Sequence, residues 1–410
     1  MSANNASGTN PNTNTTSSTS ASDKSKLPKS SSSSSMAIIA VVVILVIVVA
    51  VVGYGAYAGW FTKKTAATSA CPAGTGQTIA GAGSSLAAPL MTLWASQYSC
   101  GQLNYNSVGS GAGVTDLTQK TVDIGASDAP LSSTQVSALP SGSTVLTIPE
   151  LVAGVAVIYN IAGISKGLNF TGGVLAGIYL GQITTWNNAA IASINPGAKL
   201  PSANITVVER ADSSGTTYVY TSWLTLENSS WKSKVGAATS VTWPTGVKAS
   251  GSLGVAGTVK SDPNSIGYVD LAYAITNGLS YGAIQNPGTT YVLPNETNTA
   301  AAAAQASAFP AANAEAGWDS VSILNEPGAT TYPLATFSYV MVYSDLGAVY
   351  GSSESHSHAQ GVVEFLWWAV TTGQNYSAGL SYVPLPSNVV ASDEAAINSV
   401  LYNGQTLQSH

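Results

Sequence analysis

The sequence has almost no arginine. Of its 13 basic residues in 410, one, Arg210, is an arginine, and charged residues make up only 8% of the chain. The net charge of −6 excludes the basic footprint that nucleic-acid binding needs. Two cysteines and three histidines leave little for a structural metal site, and none is expected; nor is an organic cofactor. A chain so poor in charge and rich in Ser, Thr, Asn and Tyr stays soluble without relying on ionisation. An acidic exterior is one setting that favours such a surface.

Charge is missing altogether from Met36 to Phe61, where Ala37 to Val52 is unbroken aliphatic. At about 1.5 Å per residue this stretch reaches roughly 39 Å, enough to cross a bilayer core of about 30 Å. The expectation is a disordered Ser/Thr/Asn-rich tail over 1–35, a transmembrane anchor over 36–61 and a short linker over 62–76. A cleaved signal peptide is the rival, but its apolar region is normally about 7–15 residues behind a short leader. Lys24, Lys26 and Lys29 precede the span, and Lys63 and Lys64 follow it. The balance puts the N-terminus inside, giving a single-pass protein of the cell membrane with its main domain outside the cytoplasm. Asn-x-Ser/Thr sequons starting at Asn169, Asn204, Asn228, Asn295 and Asn375 are consistent with export.

Cys71 and Cys100 both lie beyond the span. A disulfide between them would close a loop of about 30 residues and add on the order of 3–4 kcal/mol in the chain-entropy model. The alternative is a lipid on Cys71, although Lys63 and Lys64 separate it from the apolar run.

Residues 77–410 exceed the usual single core and suggest two lobes. Strand-like runs (78–80, 104–106, 122–125, 155–159, 205–208, 337–343) alternate with helical stretches such as 85–98, 114–119 and 361–371. This alternation argues an α/β fold with largely parallel sheets. The alanine-rich 300–314 reads equally as helix or linker.

Arg210 stands in Glu209-Arg210-Ala211-Asp212-Ser213-Ser214-Gly215-Thr216. A guanidinium grips a tetrahedral oxyanion through two parallel bonds and cannot be titrated away, so an anion site is one reading. A purely stabilising Arg210–Asp212 pair is the other. Three more segments sit between a strand and a helix start: Gly81-Ala82-Gly83-Ser84-Ser85-Leu86, Gly109-Ser110-Gly111-Ala112-Gly113, and Gly125-Ala126-Ser127-Asp128. Glycine-rich turns into helix N-termini offer free N–H groups and the positive end of the helix dipole. Each alone also reads as an ordinary tight turn, and none is a P-loop, since no Gly-Lys-Ser/Thr follows. Asp128 repels any anion that lacks a proton to donate, so it would favour hydrogen phosphate over sulfate. Its simpler reading is a helix cap ahead of Pro130.

In this order and spacing, GAGSSLAAPL, SVGSGAGV, TVDIGASDAPL and ERADSSGTT resemble the ligand-binding segments of the phosphate-binding proteins of ABC-type phosphate importers. The similarity runs from about Ile79 to Val389. It includes Gly177-Ile178-Tyr179-Leu180-Gly181-Gln182-Ile183 and Ser265-Ile266-Gly267-Tyr268-Val269. The resemblance implies a two-lobed, hinged periplasmic-binding-protein fold, with lobe 1 from 77–152 plus 340–410 and lobe 2 from 153–339. Hinges are expected near 152–160 and 330–340. It further implies phosphate contacts from Ser85, the Leu86 N–H, Ser110, Asp128, Arg210, Ser214, Gly215 and Thr216, with Asp212 holding the guanidinium. The family commonly has Thr and Phe where this chain has Ser85 and Leu86, and a basic or neutral residue is frequent where it has Glu209.

The function implied is a membrane-tethered, monomeric receptor that captures inorganic phosphate and delivers it to an ABC permease and its ATPase. A phosphatase on the same scaffold would need a nucleophile with a base or a metal. Ser85 and Ser214 have no histidine partner evident, since His356, His358 and His410 all lie near the C-terminus; His356-Ser357-His358 with Glu354 could bind a metal, and it reads also as a solvated loop. A cell-surface structural protein fits the low charge but leaves the arginine segment unexplained.

Overall fold

The computed structural model describes Cys71 and residues 76–165, 167–306, 309–310 and 317–407. The expected tail and transmembrane span, and the linker apart from Cys71 and Gly76, lie outside the described residues. Among the described residues no helix is long and apolar enough to cross a membrane.

The strands are β1 Gln77–Gly83, β2 Gly101–Ser107, β3 Ile124–Ser127, β4 Val145–Asn160, β5 Asn169–Phe170, β6 Thr206–Arg210, β7 Val247–Ala249, β8 Ser265–Asp270, β9 Ser280–Tyr281, β10 Ala283–Gln285, β11 Tyr291–Val292, β12 Ala335–Tyr343, β13 Leu401–Tyr402 and β14 Gln405–Thr406. The main sheet runs β2-β1-β3-β12-β4-β8-β6-β7, with β9 also on β4. β11-β10-β5 and the pair β13-β14 form two small sheets. The helices that matter below are α1 Ala88–Gln97, α2 Ser110–Thr118, α3 Gly215–Glu227, α4 Gly251–Ser261 and α5 His356–Val370.

Both ends of the main sheet are parallel: β1 with β2 and β3, and β6 with β7 and β8. Its middle is not. β12 pairs antiparallel with β3 and β4, and β4 antiparallel with β8. The expectation of largely parallel sheets is corrected there, because β12 comes back from late in the chain and enters the sheet in the opposite sense. β4 is buried along nearly its whole length, as its aliphatic sequence requires of a strand covered on both faces. It serves two neighbours in turn. Residues up to Gly154 pair with β12, and those from Val155 pair with β8. A bulge interrupts the β12–β4 ladder, where Ser338 opposes Leu151 but Tyr339 opposes Pro149, leaving Glu150 as the extra residue.

The first helix begins at Ala88, later than the pattern from Ser85 suggests. Residues 85–87 form a turn instead, because the Ser84 hydroxyl accepts the Leu86 and Ala87 N–H groups. Pro89 sits in the first helical turn, where its missing N–H costs nothing. α1 buries an apolar face made by Leu90, Leu93 and Trp94. Of the alanine-rich stretch, a capped helix covers Glu296–Ala303, and part of the remainder lies outside the described residues.

The cysteines are joined: Cys71 and Cys100 form a disulfide, with their Cα atoms 5.4 Å apart. The Gly76 N–H donates to the Cys100 carbonyl, so the crosslink leads directly into the β1–β2 pair.

Candidate functional site

Four turns at the C-terminal ends of β1, β2, β3 and β6 meet at one place. After β1, the Ser84 N–H donates to the Ala126 carbonyl, locking that turn to β3. After β2, the Val108 and Gly109 N–H groups donate to the Gly83 carbonyl, so α2 starts beside the first turn. α2 then reaches the arginine segment, since the Gly111 N–H donates to the Ser213 carbonyl at 3.0 Å. Gly109, at φ 93°, allows this approach: a Cβ there would collide with the Asp212 carboxylate.

Asp128 lies at the centre and is 2% exposed. Its Oδ1 accepts the hydroxyls of Ser84 (2.5 Å) and Ser338 (2.9 Å), and its Oδ2 accepts the Thr216 hydroxyl (3.1 Å). Its N–H reaches the Ser110 hydroxyl at 3.4 Å. Gly215 opens α3 so close to this group that a Cβ would lie 2.6 Å from both the Asp128 nitrogen and the Ser110 hydroxyl. Only glycine fits there. Ser214 caps α3 through the Thr217 N–H.

Arg210 closes the last strand before the turn and is 4% exposed. Asp212 accepts its Nε at 2.8 Å on Oδ1 and its Nη2 at 2.5 Å on Oδ2, a two-point clamp. Asp212 Oδ1 also accepts the Gly251 N–H at the start of α4. Next to it, the Ser252 N–H and hydroxyl meet the Ser85 hydroxyl, each at 3.0 Å. The N-termini of α1, α2, α3 and α4 therefore border the same site, and their dipoles favour negative charge there.

Electrostatics sort the acids. Burial opposes ionisation of Asp212, but the Arg210 bonds and charge outweigh it and hold the carboxyl below its ordinary range. Burial raises Asp128, while the Ser84, Ser338 and Thr216 hydroxyls and the Arg210 charge pull it back toward ionisation. Burial pushes Glu209 up to about 7, with Lys248 opposing. Asp270 is pushed up to about 8 by burial, with the Tyr273 N–H opposing and Asp128 adding to the rise.

All the expected residues thus gather: Ser85, Leu86, Ser110, Asp128, Arg210, Asp212, Ser214, Gly215 and Thr216. The Leu86 N–H is spoken for here, since it donates to the Ser84 hydroxyl at 3.0 Å. Sequence reasoning missed Ser84, Ser252 and Ser338, which touch Asp128 or Ser85 from the first turn, α4 and β12. A serine in a serine-rich chain carries no signal by itself. Tyr268 was also missed as a support; it receives the Arg210 N–H at 3.4 Å and bonds the Thr217 hydroxyl at 2.7 Å.

The histidines are elsewhere. His356 and His358 lie in the first turn of α5, not in a solvated loop, because Ser355 caps that helix through the His358 N–H. The His358 ring joins Glu354 at 2.8 Å, the Thr78 carbonyl at 3.1 Å and Asp123 at 3.5 Å. Thr78 is the second residue of β1, at the end opposite Ser84. Asp123 and Glu354 push His358 up to about 10, so the trio is a charged hydrogen-bonded cluster. With one ring nitrogen turned to each acid it is internally satisfied, although its ligand atoms lie close enough together to hold a metal ion.

A strand–turn–helix α/β chain that brings a clamped arginine close enough to act on a buried carboxylate, among several helix N-termini, is suited to binding an anionic solute. In keeping with this, a family model described as a PBP superfamily domain matches residues 65–371. The chain is 36% identical over 326 residues to the phosphate-binding protein PstS of Xylella fastidiosa (strain 9a5c), covering 77% of this chain and 84% of that protein. It is 36% identical over 312 residues to the PstS of Methanocaldococcus jannaschii, covering 73% and 79%. Among solved structures, a high-affinity periplasmic phosphate-binding protein bound with phosphate is similar at a TM-score of 0.62. It is 21% identical, with 78% of this chain and 93% of that one covered. The chain belongs to the PstS family of phosphate-binding proteins.

Proposed function

We propose that this protein captures inorganic phosphate at the Arg210–Asp128 site and hands it to an ABC-type import permease driven by its ATPase. Phosphate binding in the named relatives supports this reading, and so does the family's standing as binding proteins rather than enzymes. The observation that carries it is the pairing of the chain's sole arginine with a buried carboxylate in one anion-favouring site. Arg210 supplies a charge-assisted grip and Asp128 accepts the proton of hydrogen phosphate. The Ser85, Ser110 and Ser214 hydroxyls and the Gly215 N–H complete the shell, with Asp212 fixing the guanidinium; the Leu86 N–H and the Thr216 hydroxyl join it by exchanging their Ser84 and Asp128 partners for the ligand. Such charge-assisted bonds contribute about 1.5–3 kcal/mol each.

The two lobes proposed are 77–152 plus 340–410 and 153–339, and the change of partner along β4 between Gly154 and Val155 supports a division close to that point. Closing on phosphate bends the chain where β4 exchanges β12 for β8. The receptor works as a monomer outside the cytoplasm, tethered by residues 36–61 beside its permease.

Isothermal titration calorimetry with phosphate and sulfate tests the reading. Stoichiometric phosphate binding that sulfate does not displace, lost in Arg210→Ala, is expected. No phosphate heat with folded protein at any pH from 4 to 8 would sink it.

A further inference from the structure

Glu150 is a fully buried acid in the β4–β12 bulge that the phosphate shell does not use. Bulges re-aim side chains, and this one turns Glu150 toward the site. Its Oε1 lies 2.9 Å from the Ser338 hydroxyl oxygen, which itself lies 2.9 Å from Asp128 Oδ1.

The protons on this chain can be counted. A hydroxyl carries one hydrogen, so Ser338 cannot donate to both carboxyls. Two full bonds of 2.9 Å from this hydroxyl oxygen, in place of one hydrogen shared between two buried charges, require one of the acids to be the donor. Asp128 is the poorer candidate, because it already accepts the Ser84 and Thr216 hydroxyls and faces the charge of Arg210. The Ser84 proton is committed to Asp128, since the Ser84 oxygen receives the Leu86 and Ala87 N–H groups. Glu150, by contrast, has Ser338 on Oε1 and no partner for Oε2 among the described residues. An ionised carboxylate in that position would leave half of its charge buried without a hydrogen bond.

We infer that Glu150 is a neutral acid that donates to Ser338, aims the Ser338 hydroxyl at Asp128, and so acts as the positioning residue that keeps Asp128 an acceptor for the ligand's proton. This rests on the phosphate reading above and adds a residue to it. The relay is Glu150 O–H to Ser338 O–H to Asp128 carboxylate.

The surroundings agree. Burial pushes Glu150 up to about 8, with Ser338 opposing and the Asp128 charge adding to the rise. The titratable groups facing Glu150 are Asp128 and Tyr105, while Arg210 and Asp270 act on Asp128. The Gln374 amide holds the Glu150 carbonyl at 2.9 Å and fixes the bulge. Once Glu150 ionises, the Ser338 proton is drawn away from Asp128 and a second negative charge stands beside the bound anion. A bound anion in turn resists that ionisation, so affinity falls with rising pH by at most about tenfold per unit.

The test compares full-length wild type with E150Q, whose amide donates to Ser338 at every pH. Phosphate affinity is measured by calorimetry from pH 6 to pH 10. Equal affinities at pH 6 are expected, with wild type falling about tenfold behind E150Q at the alkaline end. Infrared difference spectra without ligand should show a protonated-carboxyl band near neutral pH that is absent from E150Q and disappears as pH rises past 8. Parallel pH profiles, or an E150Q already weakened at pH 6, overturn the relay. If no phosphate binds at all, the phosphate reading fails and the infrared band alone decides the state of Glu150. Should E150Q not fold, Ser338→Ala serves, because the relay requires the same band to shift when its acceptor is lost.

Discussion

Asp212 meets Arg210 edge to edge, taking Nε on one oxygen and Nη2 on the other, and ties the same carboxylate to the Gly251 N–H. The guanidinium is thereby held in one plane with one edge committed and the rest of its fork available. Asp212→Asn should keep the fold but weaken phosphate binding about tenfold, and Arg210→Ala should cost about a hundredfold or more. Arg210→Lys should recover little, because an ammonium cannot satisfy both Asp212 and a ligand in the same geometry. Titration calorimetry on the three variants checks the order.

Asp128 accepts three hydroxyls from three different segments, so its charge is held rather than solvated. Asp128→Asn replaces an obligatory acceptor by a group that can donate. Sulfate should then compete with phosphate, narrowing the preference by orders of magnitude. An asparagine variant that still ignores sulfate would remove Asp128 from the selection.

Stability should be greatest on the acid side. Glu150 and Asp270 are raised to about 8, Glu209 to about 7 and His358 to about 10. A raised group stabilises fully below its unfolded value and loses that contribution as pH climbs through its folded value. For the acids the loss runs from about 4 to about 8, and for His358 it begins near about 6.5. Asp212 is lowered and acts oppositely, its contribution failing only as pH falls below the ordinary carboxylate range. The thermal midpoint should therefore decline from pH 5 to pH 9, and a rising midpoint over that interval would contradict the buried-acid assignments.

Reducing the Cys71–Cys100 bond should lower unfolding free energy by about 3–4 kcal/mol without abolishing ligand binding, since the crosslink lies at the opposite end of β1 from Ser84. Urea unfolding with and without reductant measures this.

Much of the site was legible because it is built from contiguous turns. The lone arginine, the acid at 128 and the Ser214-Gly215-Thr216 helix start each carry their chemistry within a few residues. The glycines of Gly109-Ser110-Gly111-Ala112-Gly113 gained meaning only in three dimensions, where Gly113 packs on Gly83 and Gly109 makes room for Asp212. Ser338 and Ser252 were out of reach, because long-range sheet pairing and a distant helix start bring them in. Glu150 was hidden ahead of the strand-like run at 155–159, in a stretch that turned out to belong to the same strand. No local pattern announces a bulge, and without it the strand's alternation does not foretell where that carboxyl turns. The antiparallel centre of the sheet was invisible for the same reason, as strand order is a property of chain return rather than of any one segment.

The position of the crosslink has a mechanical side. Cys71 precedes β1, and Cys100 immediately precedes β2. A pull applied to the chain before Cys71 cannot peel β1 away alone, because the covalent bond shares the load with the start of its neighbour. The two parallel strands are drawn from the same end as one unit, so the ladder of hydrogen bonds between them is spared the load.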